Sequence, residues 1–125
     1  MEFLKLLRKW EDVAEYPADT VIFQEGQPVD FLYIIMSGQI ELTLRGESLC
    51  FEAEGGIIGE MAMFQSAVRS TTATSSGNVK LARLSRIQIS ELMRESTEFS
   101  LHVMEVLANR LRAVNGYITD QFGPA

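Results

Sequence analysis

Between Thr20 and Leu84 the chain is cut again and again by glycine-bearing turns, and most of the intervals have the length and composition of short strands. Thr20–Gln24 is apolar and β-branched and stops at Glu25-Gly26. Phe31–Met36 is continuously apolar, the pattern of a strand covered on both faces. Ser37-Gly38 turns the chain into Gln39–Arg45, where apolar and polar residues alternate so that one face is buried and the other solvated. Arg45-Gly46-Glu47 turns it again into Ser48–Ala53, and Thr71–Ser76 and Val79–Leu84 flank Gly77-Asn78. A long series of short strands with glycine turns leaves a jelly roll or β-roll as the economical architecture.

The longer helical signals stand at the two ends. Ser85 and Gln88 stand at capping-box spacing, which predicts a helix from there to about Glu95. Ser96-Thr97 can cap a second, longer helix to about Asn115, where Asn115-Gly116 reads as a stop. At the start, Phe3, Leu4, Leu6, Leu7, Trp10 and Val13 recur at helical spacing over Glu2–Val13, with Lys5, Arg8 and Lys9 opposite. A basic amphipathic helix can lie on a membrane, but a short helix docking its apolar side on the domain is the better reading. Pro17-Ala18-Asp19 then introduces the first strands.

One stretch breaks the strand period, and local rules fail most often where a site is built. It runs Gly59-Glu60-Met61-Ala62-Met63-Phe64 and on through Arg69-Ser70-Thr71-Thr72-Ala73. Gly59 has no Cβ and lets backbone approach a ligand. The helix formers after it can begin a short helix whose free N–H groups attract an anion. Arg69 brings a permanently charged planar fork that matches two phosphate oxygens. Glu60 is no partner for phosphate, but its carboxylate accepts hydrogen bonds from sugar hydroxyls. Together these residue types suit a phosphorylated sugar.

Gly59-Glu60-Met61-Ala62, six residues, then Arg69-Ser70 resembles the phosphate-binding cassette of the cyclic nucleotide-binding domain family. Glu25-Gly26-Gln27, Asp30, Phe31–Ile35 and Ser37-Gly38-Gln39-Ile40 resemble the family's first glycine turn and central hairpin, so the likeness covers roughly residues 14 to 114. Val68 departs from the pattern, since many members carry proline there; this loosens the loop's preset geometry and removes no ligand contact. The resemblance implies an α+β, mainly β chain: a jelly-roll-like β-roll flanked by a short N-terminal helix and C-terminal helices, with a short helix in the cassette. It forms one domain over residues 1–125, with the roll at about 14–84, the helices at about 85–115 and a tail at 116–125.

The resemblance also implies a ligand set of Gly59, Glu60, Met61, Ala62, Arg69, Ser70 and Thr71, with Arg69 on the cyclic phosphate and Glu60 on the ribose 2′-hydroxyl. Thr72 can face the base. In the family, residues near the end of the final helix cover the base, and here Asn109, Arg110, Arg112, Tyr117 and Phe122 are available for that lid; alternatively the tail is a frayed terminus or linker. Cyclic AMP is favoured as regulatory ligand, with cyclic GMP the competitor.

Composition excludes several other classes. Seventeen acids against 11 bases give a net charge of −6, so the segment as a whole repels nucleic acid and anionic membrane, and capture of an anion must rely on local groups. The lone Cys50 rules out an internal disulfide and a four-thiolate metal site within one chain, and within Leu49-Cys50-Phe51 it reads as a small buried hydrophobe. His102 is the sole histidine, on a predicted helix, and reads as structural. A cupin-like metalloenzyme or a haem or iron–sulfur sensor would need more ligands than that. No Ser-His-Asp or Cys-His set assembles, so the expectation is a non-enzymatic, cytoplasmic sensor with no catalytic residues, metal or resident cofactor. No apolar run has membrane-spanning length.

In the final helix Met104, Leu107, Leu111 and Val114 share one face while Phe99, Val103 and Val106 lie on another. One face should dock on the roll and the other meet a partner helix, a stripe of under two heptads. Resemblance to the catabolite-activator branch implies a homodimer through this helix. The alternative function is a ligand-independent dimerisation or docking module of the same fold.

Overall fold

A computed structural model describes residues 2–7, 10, 12–28, 30–60 and 68–123. Two four-stranded antiparallel sheets form the roll. The first has the order β1 (Val13–Tyr16), β8 (Val79–Leu84), β3 (Leu32–Ser37), β6 (Ile57–Ile58). The second has the order β2 (Val21–Phe23), β7 (Thr72–Ser75), β4 (Ile40–Leu44), β5 (Glu47–Glu52). Helix α1 (Glu2–Leu7) precedes the roll, and α2 (Arg86–Glu95) and α3 (Thr97–Phe122) follow it.

Strand periodicity divides the first sheet between two cores. Along β3, Leu32 and Ile34 face the helices while Ile35 and Tyr33 face the second sheet; along β8, Ala82 and Leu84 face the helices while Val79 and Leu81 face inward. The helix side collects Phe3 and Leu7 of α1, Ile89 and Leu92 of α2, and Phe99, Val103 and Val106 of α3. The inward side packs on Phe23, Ile40, Leu42 and Ala73 of the second sheet. This explains why Phe31–Met36 carries no polar face: β3 is covered on both sides. Each fully buried Leu, Ile or Phe contributes about 1.5–3 kcal/mol, so α3 is held to the roll chiefly by its Phe99, Val103 and Val106 stripe.

The turn at Gly38 needs a glycine. Its φ is +89°, and a Cβ there would collide with the Asn78 carbonyl and with Val79. The expected jelly-roll-like roll, its strands and both C-terminal helices are present, and three boundaries differ. The N-terminal helix is described only over Glu2–Leu7, and Val13 belongs to β1, which pairs with β8 from Val13↔Ala82 to Tyr16↔Val79. Apolar spacing does not separate a helix tail from a short strand of four residues whose partner lies far along the chain. The two-residue β6 was also missed, since Ile57-Ile58 is too short to show a period.

The third difference is at the C terminus. Helix α3 does not stop at Asn115-Gly116 but runs to Phe122 and ends at Gly123, where φ is +81° and the N–H donates to the Thr119 carbonyl at 2.8 Å. Gly116 is exposed and costs only about 1 kcal/mol inside a helix. Of the two glycines that could stop it, the chain uses the second. The starts of both C-terminal helices match expectation. Ser85 Oγ accepts from the Gln88 N–H at 3.3 Å while Gln88 Oε1 accepts from the Ser85 N–H at 2.8 Å, and Ser96 Oγ accepts from the Phe99 N–H at 3.1 Å.

Candidate functional site: a buried arginine beside an arginine clamped by two glutamates

Strand β6 delivers Gly59 and Glu60 directly beneath α3. Gly59 takes φ +73°, and a Cβ there would run into the Arg69 Nη1 and press on the Phe31 carbonyl 3.1 Å away. Left-handed backbone and close approach thus both demand glycine. Met61 and Ala62, and with them the expected short cassette helix, lie outside the described residues.

Arg69 is fixed by its backbone first. Its N–H donates to the Gln27 carbonyl at 2.8 Å, and its own carbonyl accepts from Gly26 N–H at 2.9 Å. The turn read as Glu25-Gly26-Gln27 is therefore the bracket that holds the arginine. The side chain then passes inward, with the guanidinium 4.2 Å from the Phe23 ring centroid and 5.8 Å from that of Tyr33. Nη2 donates to the Phe31 carbonyl at 2.8 Å, and a longer contact of 3.4 Å joins Nη1 to the Gly59 carbonyl.

Arg69 is only 5% exposed, and among the described residues its Nε has no partner. Among the described residues no carboxylate forms an ion pair with it. Burial pulls its pKa below the ordinary arginine value, and the more distant Tyr33, Asp30 and Glu60 only oppose that shift. The result is a desolvated cation satisfied by neutral carbonyls alone.

Arg110 presents the opposite situation. It enters from α3 and is 7% exposed. Its Nη1 donates to both oxygens of Glu60 at 2.9 Å, and its Nη2 donates to Glu52 Oε1 at 3.2 Å and to the Ile57 carbonyl at 2.8 Å. Burial alone would lower its pKa, but the carboxylates of Glu60 and Glu52 outweigh it and hold the value above the ordinary one. Glu60 is thus already held by a charged donor, and its oxygens keep lone pairs free to accept a hydroxyl.

The remaining expected residues are scattered. Ser70 is exposed and Thr71 half-buried on the approach to β7. Thr72 Oγ1 accepts from the Glu25 N–H at 3.1 Å, so it ties β7 to the glycine turn. Arg112 is exposed and donates to Asn109 Oδ1 one turn back on α3, at 2.5 Å. Tyr117 is half-buried in a groove between α3 and β5 that Ser48, Leu49 and Ala113 also line. It stands about 10 Å along the helix from Arg110 by helical rise. Phe122 is 75% exposed at the helix end. The fold therefore brings Gly59, Glu60, Arg69 and Arg110 together and leaves Arg112 and Tyr117 apart from them. His102 joins α3 to the turn after β5, its Nε2 2.5 Å from the Gly55 carbonyl and its ring beside Phe3.

Two members of the cluster escaped sequence reasoning. Glu52 was passed over, although a signal existed: it pairs with the buried Ile40, so an acid stands on the inward face of β5. Cys50, two residues back on β5, is half-buried rather than sealed in the core. Burial pushes its thiol pKa up, opposed by the neighbouring Arg110, with Glu52 and Glu60 further contributors. The side chain packs against the inward core at its margin, beside Arg110.

Comparison with known proteins identifies the family. Residues 13–96 match the family model described as "Cyclic nucleotide-binding domain". The chain is 29% identical over 119 residues to a CRP-like cAMP-activated global transcriptional regulator of Mycobacterium tuberculosis, covering 91% of this chain and 53% of that protein. It is 30% identical over 82 residues to a cAMP-dependent protein kinase regulatory subunit of Candida albicans, covering 66% of this chain and 18% of that one. The chain thus spans about half the length of the first relative and under a fifth of the second. Among solved structures, the cAMP-bound form of the EAL enzyme Bd1971 superposes with a TM-score of 0.61 at 29% identity, over 87% of this chain and 31% of that one. The N-terminal domain of a transcriptional regulator from Streptomyces coelicolor A3(2) gives a TM-score of 0.62 at 26% identity, over 92% and 86%. With two thirds of its length matched by the family model and the arginine–glutamate cradle formed where the cassette spacing put it, this chain belongs to the cyclic nucleotide-binding domain family.

Proposed function

We propose that the domain is a sensor that binds a cyclic nucleotide, cyclic AMP before cyclic GMP, and relays occupancy through its C-terminal helices. The observation that carries this reading is the Arg69 guanidinium, buried and without a carboxylate partner among the described residues. A desolvated cation is costly until an anion meets it, and a cyclic phosphate supplies one. Glu60 accepts the ribose 2′-hydroxyl, and Ser70 and Thr71 contribute further phosphate contacts. The kinship with a cAMP-activated regulator and a cAMP-dependent kinase regulatory subunit favours the adenine nucleotide.

The relay follows from Arg110. Because this α3 side chain grips Glu60, a ligand that engages Glu60 has a different interaction energy with each position of the helix, which is all that a population shift requires. The output is a second copy of the chain. Met104, Leu107, Leu111 and Ile118 are exposed on α3. With the helix running to Phe122, positions 104, 107, 111, 114 and 118 carry a two-heptad 3–4 seam, longer than the sequence suggested. The domain works without catalysis, in the cytoplasm, and without touching nucleic acid itself. Among the described residues no helix is long and apolar enough to cross a membrane.

Calorimetric titration with cyclic AMP and cyclic GMP side by side tests the reading. Binding of cyclic AMP in the micromolar range with weaker cyclic GMP is expected. Absence of heat with both at about 1 mM, a binding free energy no better than about −4 kcal/mol, overturns it and leaves the ligand-independent docking module in its place.

A further inference from the structure

We infer that Glu52 is a positioning residue that sets how strongly the site reads the ribose 2′-hydroxyl, acting through Arg110 on Glu60. This rests on the nucleotide reading above. Glu52 comes from β5, 58 residues from Arg110 and outside the Gly59–Ala73 stretch, and the cassette pattern does not include it. Its Oε1 and the Ile57 carbonyl hold Nη2 between them at 3.2 and 2.8 Å. With Nη2 occupied in this way, only Nη1 reaches Glu60, and it sits equally on both oxygens at 2.9 Å.

This single-nitrogen contact matters chemically. An arginine and a lone carboxylate prefer a fork, two parallel N–H···O bonds that engage both oxygens and both terminal nitrogens. Glu52 prevents the fork by taking the Nη2 hydrogen that the Ile57 carbonyl leaves free. It also divides the positive charge, since two carboxylates, 19% and 14% exposed at their side chains, share one guanidinium. Glu60 keeps net negative charge and free lone pairs, which makes it a strong acceptor for a sugar hydroxyl. Without Glu52, Arg110 turns both nitrogens onto Glu60, neutralises it and rotates its carboxylate. Both consequences have the same sign: the 2′-hydroxyl is read less well, while the Arg69 phosphate contact is untouched.

The experiment titrates wild type, Glu52→Leu and Glu52→Gln with cyclic AMP and with its 2′-deoxy analogue, alongside thermal melts of each unliganded protein. Wild type should prefer the ribonucleotide by roughly 10- to 100-fold, the span of one hydrogen bond to a charged group. Glu52→Leu should shrink that preference to within about threefold and leave deoxy-analogue affinity close to wild type. Glu52→Gln, whose amide oxygen still accepts from Nη2, should keep most of the preference, and it carries the test if the leucine variant does not fold. An unchanged preference in Glu52→Leu overturns the inference, as does an equal loss for both nucleotides, the mark of a merely structural residue. If Glu52→Leu is unfolded, a Glu52→Gln preference as small as about threefold overturns it too, because the amide should have sufficed. Wild type that binds neither nucleotide sinks the nucleotide reading itself, a different and separately visible failure.

Discussion

Replacing Arg69 by methionine should separate stability from binding, because the arginine is poorly compensated until a ligand arrives. In the unliganded protein the change removes one good bond, Nη2 to the Phe31 carbonyl at 2.8 Å, and the stacking on Phe23 at 4.2 Å. The first is worth about 1.5–3 kcal/mol and the second up to about 2 kcal/mol when desolvated. Against this stands relief of several kcal/mol for a desolvated cation with no paired anion. An unbranched methionine also fills much of the same path along Phe23. The two sides nearly cancel, so stability should stay within about 2 kcal/mol of wild type, a melting shift of at most roughly 8 °C. Binding has no such offset. Removing one partner of a desolvated charge pair costs about 2–5 kcal/mol, or about 30-fold to several-thousand-fold in affinity. Calorimetry and thermal melts on the same samples give both numbers. Affinity within about threefold of wild type would falsify the phosphate role, and a loss of more than about 4 kcal/mol of stability would show that the arginine holds the fold instead.

Gly59→Ala should weaken both properties, since its Cβ meets the Arg69 fork and its φ of +73° costs an L-residue about 1–2 kcal/mol; a variant as stable and as tightly binding as wild type would remove the close approach from the account. Leu111→Asp, at an exposed position of the α3 seam, should give a folded monomer in light scattering, with the unfolding curve no longer dependent on protein concentration; a monomeric wild type contradicts the seam. Tyr117→Ala should leave nucleotide release in stopped flow unchanged, because the tyrosine sits in the α3–β5 groove apart from Glu60 and Arg69; release faster by the factor that about 1–3 kcal/mol of stacking implies would show that it covers the base after all. The Cys50 thiol, pushed up by burial, should alkylate more slowly near neutral pH than the same thiol in urea, and more slowly still with nucleotide bound. The unfolded thiol ionises first, so the same shift removes stability as pH rises past the ordinary thiol range. Labelling equally fast in the folded and unfolded chains would show that the thiol is free of the cluster.

Most of the fold was legible because its determinants are local. Ser85 and Gln88 find each other three residues apart, Gly38 marks its own turn, and the alternation of Gln39–Arg45 declares one buried face before any partner is known. The cassette was legible for the same reason: the interval from Gly59 to Arg69 is fixed along the chain, whatever surrounds it. The sequence could not show that Val13–Tyr16 is a strand, because its partner β8 lies some 66 residues away. Nor could it choose between Gly116 and Gly123 as the helix stop. Both are glycines, and only the second adopts the left-handed turn.

The site divides along the same line. Sequence determined that an arginine and a glutamate stand ten residues or less apart on a glycine-led loop. Only the tertiary structure decided that the arginine is buried against Phe23 with no carboxylate paired to it among the described residues, while Glu60 belongs to Arg110, 50 residues on, and shares it with Glu52. Charge pairing in a low-dielectric interior depends on distance and desolvation. Those are set by where β5, β6 and α3 pack, not by any spacing a single strand or helix can carry.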